Sequence, residues 1–164
     1  MNQMNSLLSS MTNSIESEYL EFEKYFSDSL LTDVTLINSV VKYLTKRKGK
    51  RFRPILVHLA GRAGKIDLDV LMNISLAIEL LHNFTLVHDD IMDNDTVRHG
   101  KMTIHEKWDS STAILAGDGI YTLAQIILND LPSNVSEVSR YFNSTTFNLS
   151  CIAYGKILKN FIFL

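Results

Sequence analysis

Proline and glycine are scarce in this chain, at two and seven residues in 164. Tight turns and bulges draw heavily on both, so the shortage disfavours a sheet protein and favours an α-rich one. A single cysteine, Cys151, excludes an internal disulfide framework and a cysteine zinc cage, and it suits a reducing cytoplasm. Neither sign of charge is in excess. A formal net charge of -2 gives no general attraction to nucleic acid or to an anionic membrane, so any basic site must be local. The N-terminal "MNQMNSLLSSMTNSIESEYL" lacks the positive flank and long apolar centre of a signal peptide, and its spacing suggests an amphipathic helix. The C-terminal "ILKNFIFL" falls well short of the ~20 apolar residues that span a bilayer. No transmembrane segment is expected.

What the chain does have is apolar material: 46% of it is hydrophobic and 21% charged, the balance of one soluble globular domain over residues 1–164. Ile15, Tyr19, Phe22 and Phe26 recur at helical steps, and so do Leu36, Ile37, Val40, Val41 and Leu44. The second stripe runs into the basic stretch "KRKGKRFR", after which Pro54 sits where a helix would begin. "ILVHLAGRAG" predicts a short helix stopped by Gly61 and Gly64. The stretch "DLDVLMNISLAIELLHNFTLVHDDIMD" is apolar over much of its circumference from Val70 to Met92, as expected of a central helix packed on several sides. A loop, "NDTVRHGKMT", separates it from a helix over "AILAGDGIYTLAQIILNDL"; Pro132 and Asn134 mark the next break, and a last helix follows. The expectation is an all-α bundle of about six helices, with Leu80, Leu81, Leu86, Trp108 and Tyr121 in its core.

One stretch breaks this pattern. "VHDDIMDND" sets Asp89, Asp90, Asp93 and Asp95 at the end of the most apolar helix, with His88 just before and Arg98 just after. Asp89 and Asp93 are four apart and so share a helix face, where like charges repel unless a cation sits between them. The helix macrodipole also disfavours negative charge at a C-terminal end. Such a pair suits Mg²⁺, which takes one or two carboxylates and completes its shell with water and phosphate oxygens. A calcium EF-hand fits poorly, because Ile91 and Asn94 stand where a ligand and a glycine are needed. A second cluster, "KGKRFRP", gathers Lys48, Lys50, Arg51 and Arg53 around Gly49 ahead of a helix start, a setting that offers cations and amide donors to an anion. His82 lies two turns before Asp89 on nearly the same face, beside the acidic site.

Together, "GKRFRP", "DDIMD", "HDDIMDNDTVRHGKMTIHEKW" and "AILAGD", in this order and spacing, resemble the N-terminal half of the trans-isoprenyl diphosphate synthases, also called polyprenyl synthetases. The resemblance covers about residues 15–155 and implies part of the isoprenoid synthase fold. It implies a Mg²⁺-dependent prenyltransferase that condenses isopentenyl diphosphate with an allylic diphosphate into a short-chain prenyl diphosphate. By that likeness Asp89 and Asp93 are Mg²⁺ ligands with Asp90 supporting. Lys50, Arg53 and His82 hold the isopentenyl diphosphate, and Arg98 the allylic one. Phe84 occupies the position of a large aromatic that floors the tail pocket, although an ideal helix turns it away from the Asp89 face.

The chain departs from the family in three places. His99 stands for a second diphosphate-binding arginine, Lys156 and Lys159 stand where a Gln and an Asp are usual, and no second aspartate-rich motif occurs. A truncated cytoplasmic synthase is therefore expected, working as a homodimer or with a complementing synthase chain. The alternatives are a non-catalytic half-subunit of a full-length synthase and a terpene cyclase, against which the basic "GKRFRP" loop argues.

Overall fold

A computed structural model describes residues 6, 9–10, 13, 16–28, 34–45, 51–132 and 137–162, with 27, 28, 45 and 151–162 described as backbone. It is all-α apart from one small hairpin. The helices are α1 (Glu16–Asp28), α2 (Thr35–Thr45), α3 (Phe52–Ala63), α4 (Leu68–Met92), α5 (Ile104–Lys107), α6 (Ser110–Asn129) and α7 (Glu137–Ile162). These are seven helices among the described residues, the extra one being the single turn α5. The expected loop after α4 contains an antiparallel pair, β1 (Val97–Arg98) and β2 (Lys101–Met102), with Val97 opposite Met102. His99 and Gly100 close it at φ 51° and 74°, the two positive values that a type I′ hairpin turn requires.

The centre of the bundle is α4 against α6. Leu76, Leu80 and Val87 of α4 are almost completely buried, and α6 meets them with a stripe of small and apolar residues: Ala113, Ala116, Gly117, Ile120, Ala124 and Leu128. Small side chains at these three- and four-residue steps let the two helices approach closely. Phe22 and Phe26 of α1 and Val40, Val41 and Leu44 of α2 complete the core, each large side chain contributing roughly 1.5–3 kcal/mol by its burial. Leu80 and Leu81 lie in the core, whereas Trp108 and Tyr121 are half-buried at its edge and Leu86 is half-buried outside it. Leu36, expected on the apolar stripe of α2, is exposed, and Ile15 and Asn134 lie outside the described residues.

Gly61 does not stop α3. The helix runs through it to Ala63, and glycine is needed there because a Cβ would stand 2.1 Å from Leu71 Cδ2. The missing side chain is what lets α3 and α4 pack. Gly64 ends the helix, its N–H donating to the Ala60 carbonyl at 3.1 Å. By length and composition alone α4 and α6 could each cross a membrane, a test that the core helices of a soluble bundle also pass.

Candidate functional site

The acidic end of α4 opens on a cavity of about 1120 Å³ between α3, α4, α6 and α7. Arg53, His82, Asp89, Asp93 and Asp118 give it polar walls, and Ile74, Ile78, Leu81, Phe84, Leu128 and Val138 line it with apolar ones. Along α4 the lining runs from Ile74 to Asp93, a rise of about 28 Å at 1.5 Å per residue. The cavity thus joins a charged end to a long apolar trough. Phe84 and Asp89 both line it despite their different helix faces, because the cavity wraps around α4.

Asp93 is the C-cap of α4, its N–H donating to the Asp89 carbonyl at 2.8 Å. Both carboxylates therefore sit where backbone carbonyls already carry partial negative charge. Among the described residues no cation pairs with either. Two open carboxylates facing a cavity are a donor set that fits Mg²⁺. No group of three or more His, Cys, Asp and Glu side chains among the described residues could cage an ion by itself, so a bound ion would keep positions for water or phosphate. His82, half-buried, has its pKa lowered, first by burial and then by the neighbouring Arg53. It faces the cavity as a neutral imidazole that can still donate one N–H.

Asp90 and Arg98 are not part of the cavity wall. Asp90 is 2% exposed and accepts a hydrogen bond from Arg98 Nε, while Arg98 Nη2 reaches Asp95 at 3.2 Å. This clamp fastens the loop after α4 to the helix end. Asp90 holds Arg98, and Arg98 is engaged with aspartates of its own segment. His99 is exposed at the hairpin turn and does not line the cavity.

Arg51 corrects the reading of "KGKRFRP" as a set of mobile cations. It is 6% exposed, with Nε 2.7 Å from Glu23 and Nη1 2.6 Å from Glu79, and its guanidinium lies 4.3 Å from the Phe26 ring centroid. It joins α1 to α4 as a buried, doubly paired cation and does not line the cavity. Arg53, two residues on, is exposed and does line the cavity. Lys48 and Lys50, and the side chains of Lys156, Lys159 and Cys151, lie outside the described residues.

A histidine and an aspartate in the lining, His88 and Asp118, were not among the expected site residues. His88 lies 3.6 Å through Nε2 from Asp118 Oδ1, and its ring meets Phe84 edge-on with centroids 4.6 Å apart. The signal for Asp118 was present in the sequence as an acid embedded in the apolar run "AILAGDGIYTLA". Only the α4–α6 packing shows which side chain it meets.

The Polyprenyl synthetase family model matches residues 34–157. The chain is 47% identical over 117 residues to the geranylgeranyl diphosphate synthase of Methanosarcina mazei, covering 71% of this chain and 36% of that protein. It is 37% identical over 133 residues to the octaprenyl diphosphate synthase of Escherichia coli, covering 80% of this chain and 39% of that one. The solved geranylgeranyl pyrophosphate synthetase of Geoglobus acetivorans superposes with a TM-score of 0.74 at 32% identity, over 87% of this chain and 47% of that structure. The chain spans well under half the length of the two curated relatives.

Proposed function

From the premise that the chain belongs to the polyprenyl synthetase family, we propose that it carries the diphosphate end of a trans-prenyltransferase site. The reaction is condensation of isopentenyl diphosphate with an allylic diphosphate, giving a short-chain prenyl diphosphate. The observation that supports this reading is the cavity's division: open carboxylates and basic groups at one end, and apolar walls of α4, α6 and α7 along the rest. A diphosphate with an isoprenoid tail has the same division.

In this reading Asp89 and Asp93 hold Mg²⁺. The ion, when bound, neutralises the diphosphate and the charge that grows on it as it leaves. Arg53 and His82 bind and orient the isopentenyl diphosphate, with Lys50 of the same basic segment. Arg98, held by Asp90 and Asp95, and His99 lie off the cavity wall, and their roles toward the allylic diphosphate rest on the family resemblance alone. The apolar walls exclude water from the allylic carbon; Phe84 lines the tail's path, and its role in product length rests on the family resemblance, since the cavity continues past it to Ile78 and Ile74. We read α4 and α6 as core helices of a cytoplasmic protein that spans no membrane. Exposed Leu115, Tyr141 and Phe147 on α6 and α7 support a covering partner, either a second copy or a complementing synthase chain.

Incorporation of labelled isopentenyl diphosphate with Mg²⁺ and geranyl diphosphate tests the reading. Asp89→Ala and Asp93→Ala are each expected to abolish turnover. Full turnover in both variants would sink the assignment.

A further inference from the structure

His88 immediately precedes Asp89, yet its ring turns across the α4–α6 interface and is gripped there. Phe84 meets it edge-on at 4.6 Å, and a Cβ on Gly117 would come within 2.7 Å of its Cε1. The bare backbone of α6 thus makes room for this imidazole. Its Nδ1 is buried with no hydrogen-bond partner among the described residues, and its Nε2 points to Asp118 Oδ1 at 3.6 Å. Asp118 is 63% exposed in its side chain and lines the same cavity as Asp89 and Asp93. A histidine that only filled space would not need its polar edge aimed at a carboxylate on the facing helix.

We infer that His88 is a positioning residue: its Nε2 edge, held against Asp118, fixes the end of α4 that carries Asp89 relative to α6. The inference rests on the reading of Asp89 as a metal ligand. Partners that orient a ligand are worth about 10-fold or more in metal affinity even though they never touch the ion. Asp118 belongs to the same arrangement as the anchor on α6, and Gly117 as the space that lets the imidazole reach it.

Two substitutions separate positioning from packing. Phe in place of His88 keeps a ring against Phe84 and Gly117 but has no N–H, whereas Gln loses the ring and keeps a donor near the Nε2 position. The experiment is electron paramagnetic resonance of Mn²⁺ with inorganic pyrophosphate on the full chain, with thermal unfolding of each variant alongside. His88→Phe is expected to weaken Mn²⁺ binding roughly tenfold at a nearly unchanged melting temperature. His88→Gln is expected to retain affinity within about threefold even where it melts lower, and Asp118→Asn to follow His88→Phe. The reverse order, with Phe retained and Gln weakened, would overturn the inference in favour of packing. Asp89→Asn checks the underlying reading separately. If it binds Mn²⁺ as the parent does, both the site assignment and the inference fall. If it loses binding while His88→Phe does not, only the inference falls.

Discussion

Glu79 and Asp89 project from the same helix, α4, into opposite circumstances. Glu79 is 5% exposed and bound by Arg51, which also takes Glu23 and lies over Phe26, so every charge in that cluster is answered within the protein. At the other end, Asp89 and Asp93 face a cavity with no cation on them among the described residues, although Arg98 is close enough in the chain to serve and is instead engaged by Asp90 and Asp95. Burial forces the first arrangement, since an unpaired charge in the core is costly. Nothing in folding calls for the second. Carboxylates left uncompensated at a helix C-terminus are tolerable in water and useful only if a cation arrives from outside. The same residue types therefore hold the fold together in one place and wait for a ligand in the other.

The largest effect that tests this contrast comes from the compensated cluster. Arg51→Met leaves Glu79 buried without its partner, and removing one member of a buried pair costs about 3–5 kcal/mol. Urea unfolding of the variant is expected to show that loss. A loss below ~1 kcal/mol, typical of exposed pairs, would mean that the cluster is not structural and that Arg51 is free to serve a ligand after all.

A smaller effect comes from His58, which sits in the same half of the molecule and is not compensated. It is 1% exposed, both ring nitrogens lack partners among the described residues, and Phe22 packs near its ring at 6.3 Å. Burial lowers its pKa, opposed by Glu18 and Glu21 on α1. A lowered folded-state value means that the unfolded chain binds more protons, so this contribution is present above the ordinary histidine pKa of about 6.5 and lost as pH falls below it. His82 is lowered as well and adds to the same slope. His58→Leu is expected to lose less stability than the parent between neutral pH and the acid side of that value, measured by urea midpoints. Equal losses would place the acid sensitivity elsewhere.

How much of this was legible in the sequence depends on distance along the chain. The long apolar helix, the stripes on α1 and α2 and the acidic end of α4 are local patterns, and the bundle follows from them. Gly61 was misread because its reason for being glycine is Leu71, which comes near only once α3 folds back on α4. Arg51 was misread because a basic run looks uniform until two glutamates, from α1 and α4, select one member and bury it. Asp118 went unremarked for the same reason: its meaning depends on His88 across the interface. Local spacing could nominate Asp89, Asp93, His82 and Arg53. It could not say which neighbouring charges are already engaged, and that decides which of them remain open.

The smallest effect sharpens the contrast most. If Asp89 is kept charged for a ligand and not for the fold, neutralising it should not destabilise the free protein. Asp89→Asn removes one of two like charges four residues apart near the C-terminal end of α4, where each unfavourable interaction with a neighbour or with the helix dipole is worth about 0.2–1 kcal/mol. The expected result in metal-free buffer is therefore a slight gain, a few tenths of a kcal/mol in urea unfolding. With Mg²⁺ and pyrophosphate added, the order should reverse: the parent is stabilised by whatever binds its folded state, and the variant is not. A variant less stable than the parent in metal-free buffer would show that Asp89 has a structural partner. It would then belong with Glu79, and the division of α4 into a compensated half and an open one would fail.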